Sequence, residues 1–153
     1  GGLRAGADWE ETAFTRNNRH LEGFETGDFI EFDWQFSGDA PWKTTSDKKN
    51  LGFWSAKSGA IGDDESTTLE VTLDGKPGEI TFYRKVSCEG WDSLVFCING
   101  REKGRWSGEQ DWARESYPVS GGRTTFTWTY AKDGSSSSGE DAAWIDDVAF
   151  PIH

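Results

Sequence analysis

The chain has 153 residues, enough for one domain with a sizeable core, and its formal net charge at pH 7 is −11. This negative charge argues against a nucleic-acid backbone or an anionic membrane as its partner, since both are polyanions. No apolar stretch approaches the length that spans a bilayer, and residues 1–4 do not open a signal peptide. We therefore expect the chain to be a piece of a longer protein.

Nine Trp, ten Phe and nineteen Gly, distributed around short apolar segments, are typical of an all-β protein. Residues 1–20 are polar and lack alternation, so we interpret them as a linker or N-terminal tail. The remaining residues, 21–153, are interpreted as a single β-sandwich module.

The apolar segments that follow predict about ten short strands and no long helix, which favours a jelly-roll β-sandwich of two antiparallel sheets. Asn99-Gly100 predicts a tight two-residue hairpin, because both central positions of that turn favour positive φ. Leu69, Val71 and Leu73 alternate with polar residues and should share a buried face. The predicted strands cover residues 29–32, 34–36, 42–45, 52–57, 66–73, 79–87, 92–98, 101–106, 112–119, 123–130 and 143–150.

The two cysteines, Cys88 and Cys97, flank a predicted hairpin turn at residues 89–92. A disulfide needs Cα atoms within about 7 Å of each other. A turn centred near Asp92 would allow that bond, whereas a turn centred at Gly90 would not, so both states remain open.

Acidic residues lie between aromatic and aliphatic ones at both ends of the module. A buried unpaired carboxylate costs several kcal/mol or more, and a bound metal ion is one way to offset that cost. The first and last strands of a jelly roll are neighbours, so Glu25 and Asp146 are expected to face each other across a calcium site. Asp33 and carbonyls near residues 52–55 would complete the shell. The alternative is a carboxylate bonded to backbone N–H groups or paired with Lys57.

Strand alternation points Asp147 away from Asp146, so one of the two is expected to face solvent. Such an ion would tie the termini together and would be structural rather than catalytic.

Several motifs occur in order along residues 21–151. They are Gly23-Phe24-Glu25, Phe32-Asp33-Trp34, residues 55–59, 80–87 and 98–100, Trp112, residues 126–130 and Trp144-Ile145-Asp146-Asp147-Val148. Together they resemble MAM-type and cleaved-adhesin-type jelly-roll modules. Bacterial modules of this kind are attached to secreted, multidomain glycan-degrading enzymes, proteases and adhesins, so the resemblance implies an extracellular location. It also supports Glu25 and one of the final Asp pair as metal ligands.

Four tryptophans lie in or beside predicted loops, where an exposed indole could stack on a sugar ring: Trp42, Trp54, Trp91 and Trp106. Trp91, at the predicted turn, is the first candidate, and Asp92 beside it would accept hydrogen bonds from sugar hydroxyls. Each tryptophan has the alternative of packing in the core, as expected for Trp128 and Trp144 within strands.

The acidic segments 63–65 and 140–141 are either solvated loops or further ligands for an ion or sugar hydroxyls. The sequence contains no GxSxG, no HExxH and no cysteine with a well-placed histidine. We therefore predict a non-catalytic carbohydrate-binding module of a secreted polysaccharide-degrading enzyme, with a polysaccharide and adjacent domains as partners. The alternatives are a protein-interaction or adhesion module, or a structural spacer, of a secreted protease or cell-surface protein.

Overall fold

In the computed structural model, the described part of the chain comprises residues 21–25, 27, 29, 32–50, 52–133 and 139–152. This part contains eleven β-strands and no helix. Accordingly, no helix long and apolar enough to cross a membrane occurs within these residues. The predicted tail, residues 1–20, lies outside the described residues.

All the described strand pairs are antiparallel and form two sheets. The strands are β1 Leu21–Glu22, β2 Gln35–Gly38, β3 Lys43–Thr45, β4 Ser55–Lys57, β5 Ser66–Gly75, β6 Gly78–Ser87, β7 Ser93–Ile98, β8 Arg101–Trp106, β9 Glu109–Val119, β10 Gly122–Ala131 and β11 Ala142–Ala149. The larger, six-stranded sheet has the order β3-β4-β11-β6-β9, with β1 paired to β11, and the five-stranded sheet has the order β2-β5-β10-β7-β8. The predicted all-β jelly-roll sandwich is therefore confirmed.

The core lies between the two sheets, because alternation gives each long strand one apolar face. Leu69 and Val71 of β5 are fully buried, as their spacing predicts. Trp128 of β10 is also fully buried, and its ring centroid lies 5.0 Å from that of Phe96 and 5.5 Å from that of Phe82. Phe82 belongs to β6 of the larger sheet, so aromatic rings from both sheets meet around Trp128.

The connection between β6 and β7 is not a hairpin, contrary to the prediction, because the two strands belong to different sheets. Residues 88–92 carry the chain from one sheet to the other. Cys88 and Cys97 are both free, so the disulfide does not form. Cys97 pairs with Thr127 within the smaller sheet, whereas Cys88 follows the last residue of β6 in the larger one.

The hairpin at Asn99-Gly100 is confirmed. β7 ends at Ile98 and β8 begins at Arg101, and the two residues between them have φ values of 52° and 81°. Glycine adopts such a conformation without steric cost, and asparagine tolerates it better than most residues.

β11 places Trp144 and Ile145 on opposite faces of the larger sheet. Ile145 belongs to the central core. Trp144 is also fully buried, but outside that cluster. Its ring lies beside Lys57 and Lys85, whose ammonium nitrogens are 5.7 and 6.0 Å from the ring centroid. The predicted burial of Trp144 is correct, but the residue packs on the outer face of its sheet.

A charged group occupies the margin of the core between β6 and β9. Arg84 is buried, and its Nη2 lies 3.1 Å from Glu115 Oε2. The Tyr117 hydroxyl donates to Glu115 Oε1 at 3.2 Å. Burial, together with the Glu115 carboxylate, raises the pKa of Tyr117 to about 12.

This shift predicts alkaline destabilisation. Folded Tyr117 holds its proton up to a pKa of about 12, whereas the unfolded side chain loses it near its ordinary value of 10.0. The stabilisation from the protonated Tyr117 hydroxyl is complete below the pKa of the unfolded state. It is lost as pH rises through the pKa of the folded state. Urea titrations at about pH 9 and pH 11.5 should show a larger loss of unfolding free energy for the wild type than for Tyr117→Phe. Equal losses in the two proteins would contradict this prediction.

Candidate functional site

Large hydrophobic side chains are exposed at three places on the described surface. Trp91 is 80% exposed in the connection between β6 and β7, Phe53 is 73% exposed before β4, and Phe36 is 42% exposed on β2. The exposure predicted for Trp91 is therefore confirmed. The two phenylalanines were not singled out by the sequence analysis.

Hydrogen bonds hold the segment that presents Trp91. The Asp92 backbone N–H donates to the Glu89 carbonyl at 3.2 Å and closes the turn around the tryptophan. Asp92 Oδ1 accepts the Asp133 backbone N–H at 3.1 Å, which ties the turn to the segment after β10. The Trp91 ring therefore faces solvent from a backbone that is anchored to another part of the sandwich.

Three carboxylates, those of Glu89, Asp92 and Asp133, converge next to this turn, and we call them the carboxylate trio. One oxygen from each lies within 4.8 Å of the other two. Asp92 is fully buried, and both its Oδ2 and Glu89 Oε1 are buried atoms without a hydrogen-bond partner. Burial raises the pKa of Glu89, and the Asp133 and Asp92 carboxylates raise it further.

Asp92 was predicted to accept hydrogen bonds from sugar hydroxyls, but its complete burial rules out that contact. The exposed acidic groups near the turn are instead residues 63–65. The Asp64 backbone N–H donates to the Asp133 carbonyl at 2.9 Å, which brings this loop beside the carboxylate trio.

The other predicted sugar platforms are less accessible. Trp42 is 2% exposed and its Nε1 donates to the Thr67 carbonyl at 3.3 Å. Trp106 is 9% exposed and packs edge-on against Phe82, with ring centroids 6.1 Å apart. Trp54 is half-buried against the core. Trp42 and Trp106 are core residues, because a position beside a loop does not decide which way a side chain points.

The outward face of the smaller sheet is polar, and in the described strands it carries no aromatic residue. Thr68 and Thr129 are joined by a hydrogen bond of 2.8 Å between their hydroxyls, and so are Thr72 and Thr125. This face offers hydroxyl groups but no stacking platform. One row across the five strands runs Ser37, Thr68, Thr129, Val95 and Arg105.

An open groove of about 400 Å³ lies beside Phe36. Its aromatic wall includes Phe29, whose ring meets Phe36 edge-on with centroids 5.0 Å apart. The groove thus contains a partly exposed aromatic ring. Its lining consists of Phe29, Phe36, Pro41, Trp42, Lys43 and Thr44.

Three of the four predicted calcium ligands converge on the loop between β3 and β4. The Glu25 carboxylate accepts the backbone N–H groups of residues 53–54 at 2.7 and 2.9 Å. Asp146 Oδ2 accepts the Asn50 backbone N–H at 3.0 Å, and Asp147 Oδ2 accepts Asn50 Nδ2 at 3.0 Å. For Glu25 and Asp146, hydrogen bonding to backbone N–H groups is the alternative that the sequence analysis raised.

The expectation that Asp146 and Asp147 point to opposite sides is wrong. Asp147 has a φ of 48°, and the pairing of β11 with β6 shifts register between Asp146 and Ala149. This irregularity turns both carboxylates toward Asn50. Asp33, the fourth predicted ligand, is exposed and its Oδ1 accepts a hydrogen bond from Gln35 Nε2 at 3.0 Å.

No family model matches the chain, and no curated protein matches it. Several solved structures match it well. TmCBM61, solved in complex with β-1,4-galactotriose, is 19% identical with a TM-score of 0.63, and the match covers 86% of this chain and 95% of that one. The K1 cleaved adhesin domain of Lys-gingipain from Porphyromonas gingivalis W83 is 13% identical with a TM-score of 0.65, covering 87% and 97%.

A third match is the CBM22-1 xylan-binding domain from Paenibacillus barcinonensis Xyn10C. It is 16% identical with a TM-score of 0.54, covering 88% of this chain and 95% of that one. The chain shares the β-sandwich fold of these modules. The resemblance to cleaved-adhesin modules, inferred from the motifs, is therefore confirmed for the fold.

The sequence analysis missed a buried carboxylate near the start of the module. Glu22 is fully buried, its Oε1 accepts Trp34 Nε1 at 2.8 Å and its Oε2 accepts the Phe24 backbone N–H at 2.9 Å. Alternation of buried and exposed side chains along β1 could have indicated that Glu22 is buried. A strand of two residues is too short to show such alternation.

Proposed function

We propose that this protein is a non-catalytic carbohydrate-binding module that recognises a polysaccharide through Trp91. The observation that carries the proposal is the 80% exposure of Trp91 on an anchored turn. An indole face stacks on the C–H faces of a sugar ring, whereas a ring left in water exposes unfavourable apolar area. TmCBM61, bound to galactotriose, and the xylan-binding CBM22-1 domain share this fold.

In this proposal the polar groups around Trp91 orient the sugar. The exposed loop 63–65 lies beside Asp133 and supplies carboxylate acceptors for hydroxyl groups. One aromatic platform gives a modest affinity, and attachment to an enzyme raises the effective concentration of the module at its substrate. We accordingly place the module in a secreted, multidomain polysaccharide-degrading enzyme outside the cell.

Replacing Trp91 with alanine is expected to weaken polysaccharide binding about tenfold, which corresponds to about 1.4 kcal/mol. Affinity gels with plant, algal and bacterial polysaccharides, chosen after a glycan array, measure the effect. Because the ring is exposed, the variant should melt close to the wild type. Phe53→Ala, which removes a similarly exposed ring elsewhere, is the matched control and should bind normally.

Unchanged affinity in a folded Trp91→Ala protein would refute Trp91 as the platform. Weakened binding in Phe53→Ala alone would move the site to the loop before β4. A wild type that binds no polysaccharide in the panel would favour a protein-interaction or adhesion module. The K1 cleaved adhesin domain shares this fold as well.

We also propose a structural calcium ion at the carboxylates of Glu25, Asp146 and Asp147. All three carboxylates bond to the loop between β3 and β4, which supports this proposal. An ion there would join the segment after β1, which carries Glu25, to β11, which carries Asp146 and Asp147. In the described residues these three do not bring an oxygen each within 4.8 Å of one another, so an ion there would be bound directly by only some of them, and carbonyl or water oxygens would fill the rest of its shell. Calcium would supply charge neutralisation rather than chemistry.

A further inference from the structure

The carboxylate trio contains two buried oxygens that have no hydrogen-bond partner. Asp92 is fully buried, and its Oδ2 has no hydrogen-bond partner. Glu89 Oε1 is a second buried oxygen without a partner. Leaving a carboxylate oxygen buried and unsatisfied is costly, and a bound cation removes that cost.

Lys132 is a buried cation close to the trio. Its ammonium group forms an ion pair with Asp141 and is also attracted by the Asp92 carboxylate. Three carboxylates held this close together repel one another, and a divalent cation bound between them would relieve that repulsion.

We propose that Glu89, Asp92 and Asp133 form a calcium site that fastens the Trp91 turn to the segment after β10. Calcium binds oxygen ligands at about 2.3–2.6 Å, so two of its ligands can lie up to about 5 Å apart. The separations within 4.8 Å in the trio satisfy that limit. Magnesium binds at about 2.0–2.1 Å, needs near-ideal octahedral geometry and usually keeps several waters, so a set of three protein carboxylates favours calcium. Zinc prefers nitrogen and sulfur ligands, and the trio offers only oxygens.

The position of the site gives the ion a specific effect. Glu89 and Asp92 flank Trp91 in sequence, while Asp133 lies 41 residues beyond Asp92. An ion bound to all three fixes both ends of the turn to a second connection at the same end of the sandwich. Binding of the ion does not depend on the proposed recognition of sugars.

The test is calorimetric titration of CaCl2 into metal-stripped protein, for the wild type and the variants Glu89→Gln, Asp133→Asn and Asp74→Asn. Asp74→Asn is the matched control, because it removes an exposed carboxylate from β5. We expect the first two variants to lose one binding event of the wild type or to bind at least tenfold more weakly. The control should titrate like the wild type, and MgCl2 should bind more weakly than CaCl2.

The comparison is between variants, so an ion at Glu25 and Asp146 adds equally to every titration and does not obscure the result. Circular dichroism reports whether each variant folds, and either of the two folded variants decides the question. A wild type that binds no calcium would overturn the proposal. Wild-type stoichiometry and affinity in folded Glu89→Gln or Asp133→Asn would overturn it as well.

Discussion

Replacing Trp144 with alanine is expected to lower the free energy of unfolding by about 3–5 kcal/mol. Its ring is fully buried on the outer face of the larger sheet, so truncation leaves a cavity there. The variant also loses the contacts of the ring with the ammonium groups of Lys57 and Lys85, which add about 0.5–2 kcal/mol in such geometries. In a domain of this size each kcal/mol lowers the melting temperature by about 2–4 °C.

Trp144→Phe is the matched control for this experiment. Trp144 Nε1 is buried without a hydrogen-bond partner, so phenylalanine keeps an aromatic ring and loses no hydrogen bond. We expect the phenylalanine variant to melt well above the alanine variant in calorimetric scans. An alanine variant that melts within a degree or two of the wild type would show that Trp144 contributes little to stability.

Chelation is expected to lower the melting temperature even in Glu89→Gln, in which the carboxylate trio is disrupted. Without an ion, the charges of Glu25, Asp146 and Asp147 are left close to one loop and repel one another. Calcium at a free concentration of 100 times its Kd stabilises the folded state by about 2.7 kcal/mol. For this chain length, that corresponds to a decrease of about 5–10 °C.

Thermal scans of Glu89→Gln in millimolar calcium and in excess EDTA measure this effect. Adding Glu25→Gln should abolish the difference between the two solutions, because it removes one proposed ligand of the ion. Glu25 is exposed, so the substitution itself should disturb packing little. Identical melting curves for Glu89→Gln in both solutions would remove the case for an ion between the ends of the module.

Local patterns in the sequence predicted most of the strands. The alternation at Leu69 and Val71 determines which face of β5 is buried, and Asn99-Gly100 determines a two-residue turn; both depend only on neighbouring residues. The connection between β6 and β7 could not be predicted in the same way. Its turn residues suit a hairpin, but the sheet to which each strand belongs depends on distant partners.

In the candidate site, too, the sequence predicted local features and missed those that depend on distant residues. Exposure of Trp91 follows from its place in a turn and was predicted. The burial of Trp42 depends on packing that no local pattern reveals. The carboxylate trio was missed because Asp133 reaches Asp92 from another connection, across 41 residues of sequence. The bulge that brings Asp146 and Asp147 to one side likewise depends on the pairing of β11 with β6.

The two unpaired cysteines make the protein suitable for labelling at one position. Cys88 is buried, and burial raises the pKa of its thiol, which lowers the reactive thiolate fraction. Cys97 is half-buried and lies on the outward face of the smaller sheet, opposite Thr127. A thiol-reactive fluorophore should therefore attach first at Cys97, on the polar face rather than near Trp91. Its emission would then report whether a bound polysaccharide chain also extends across that sheet.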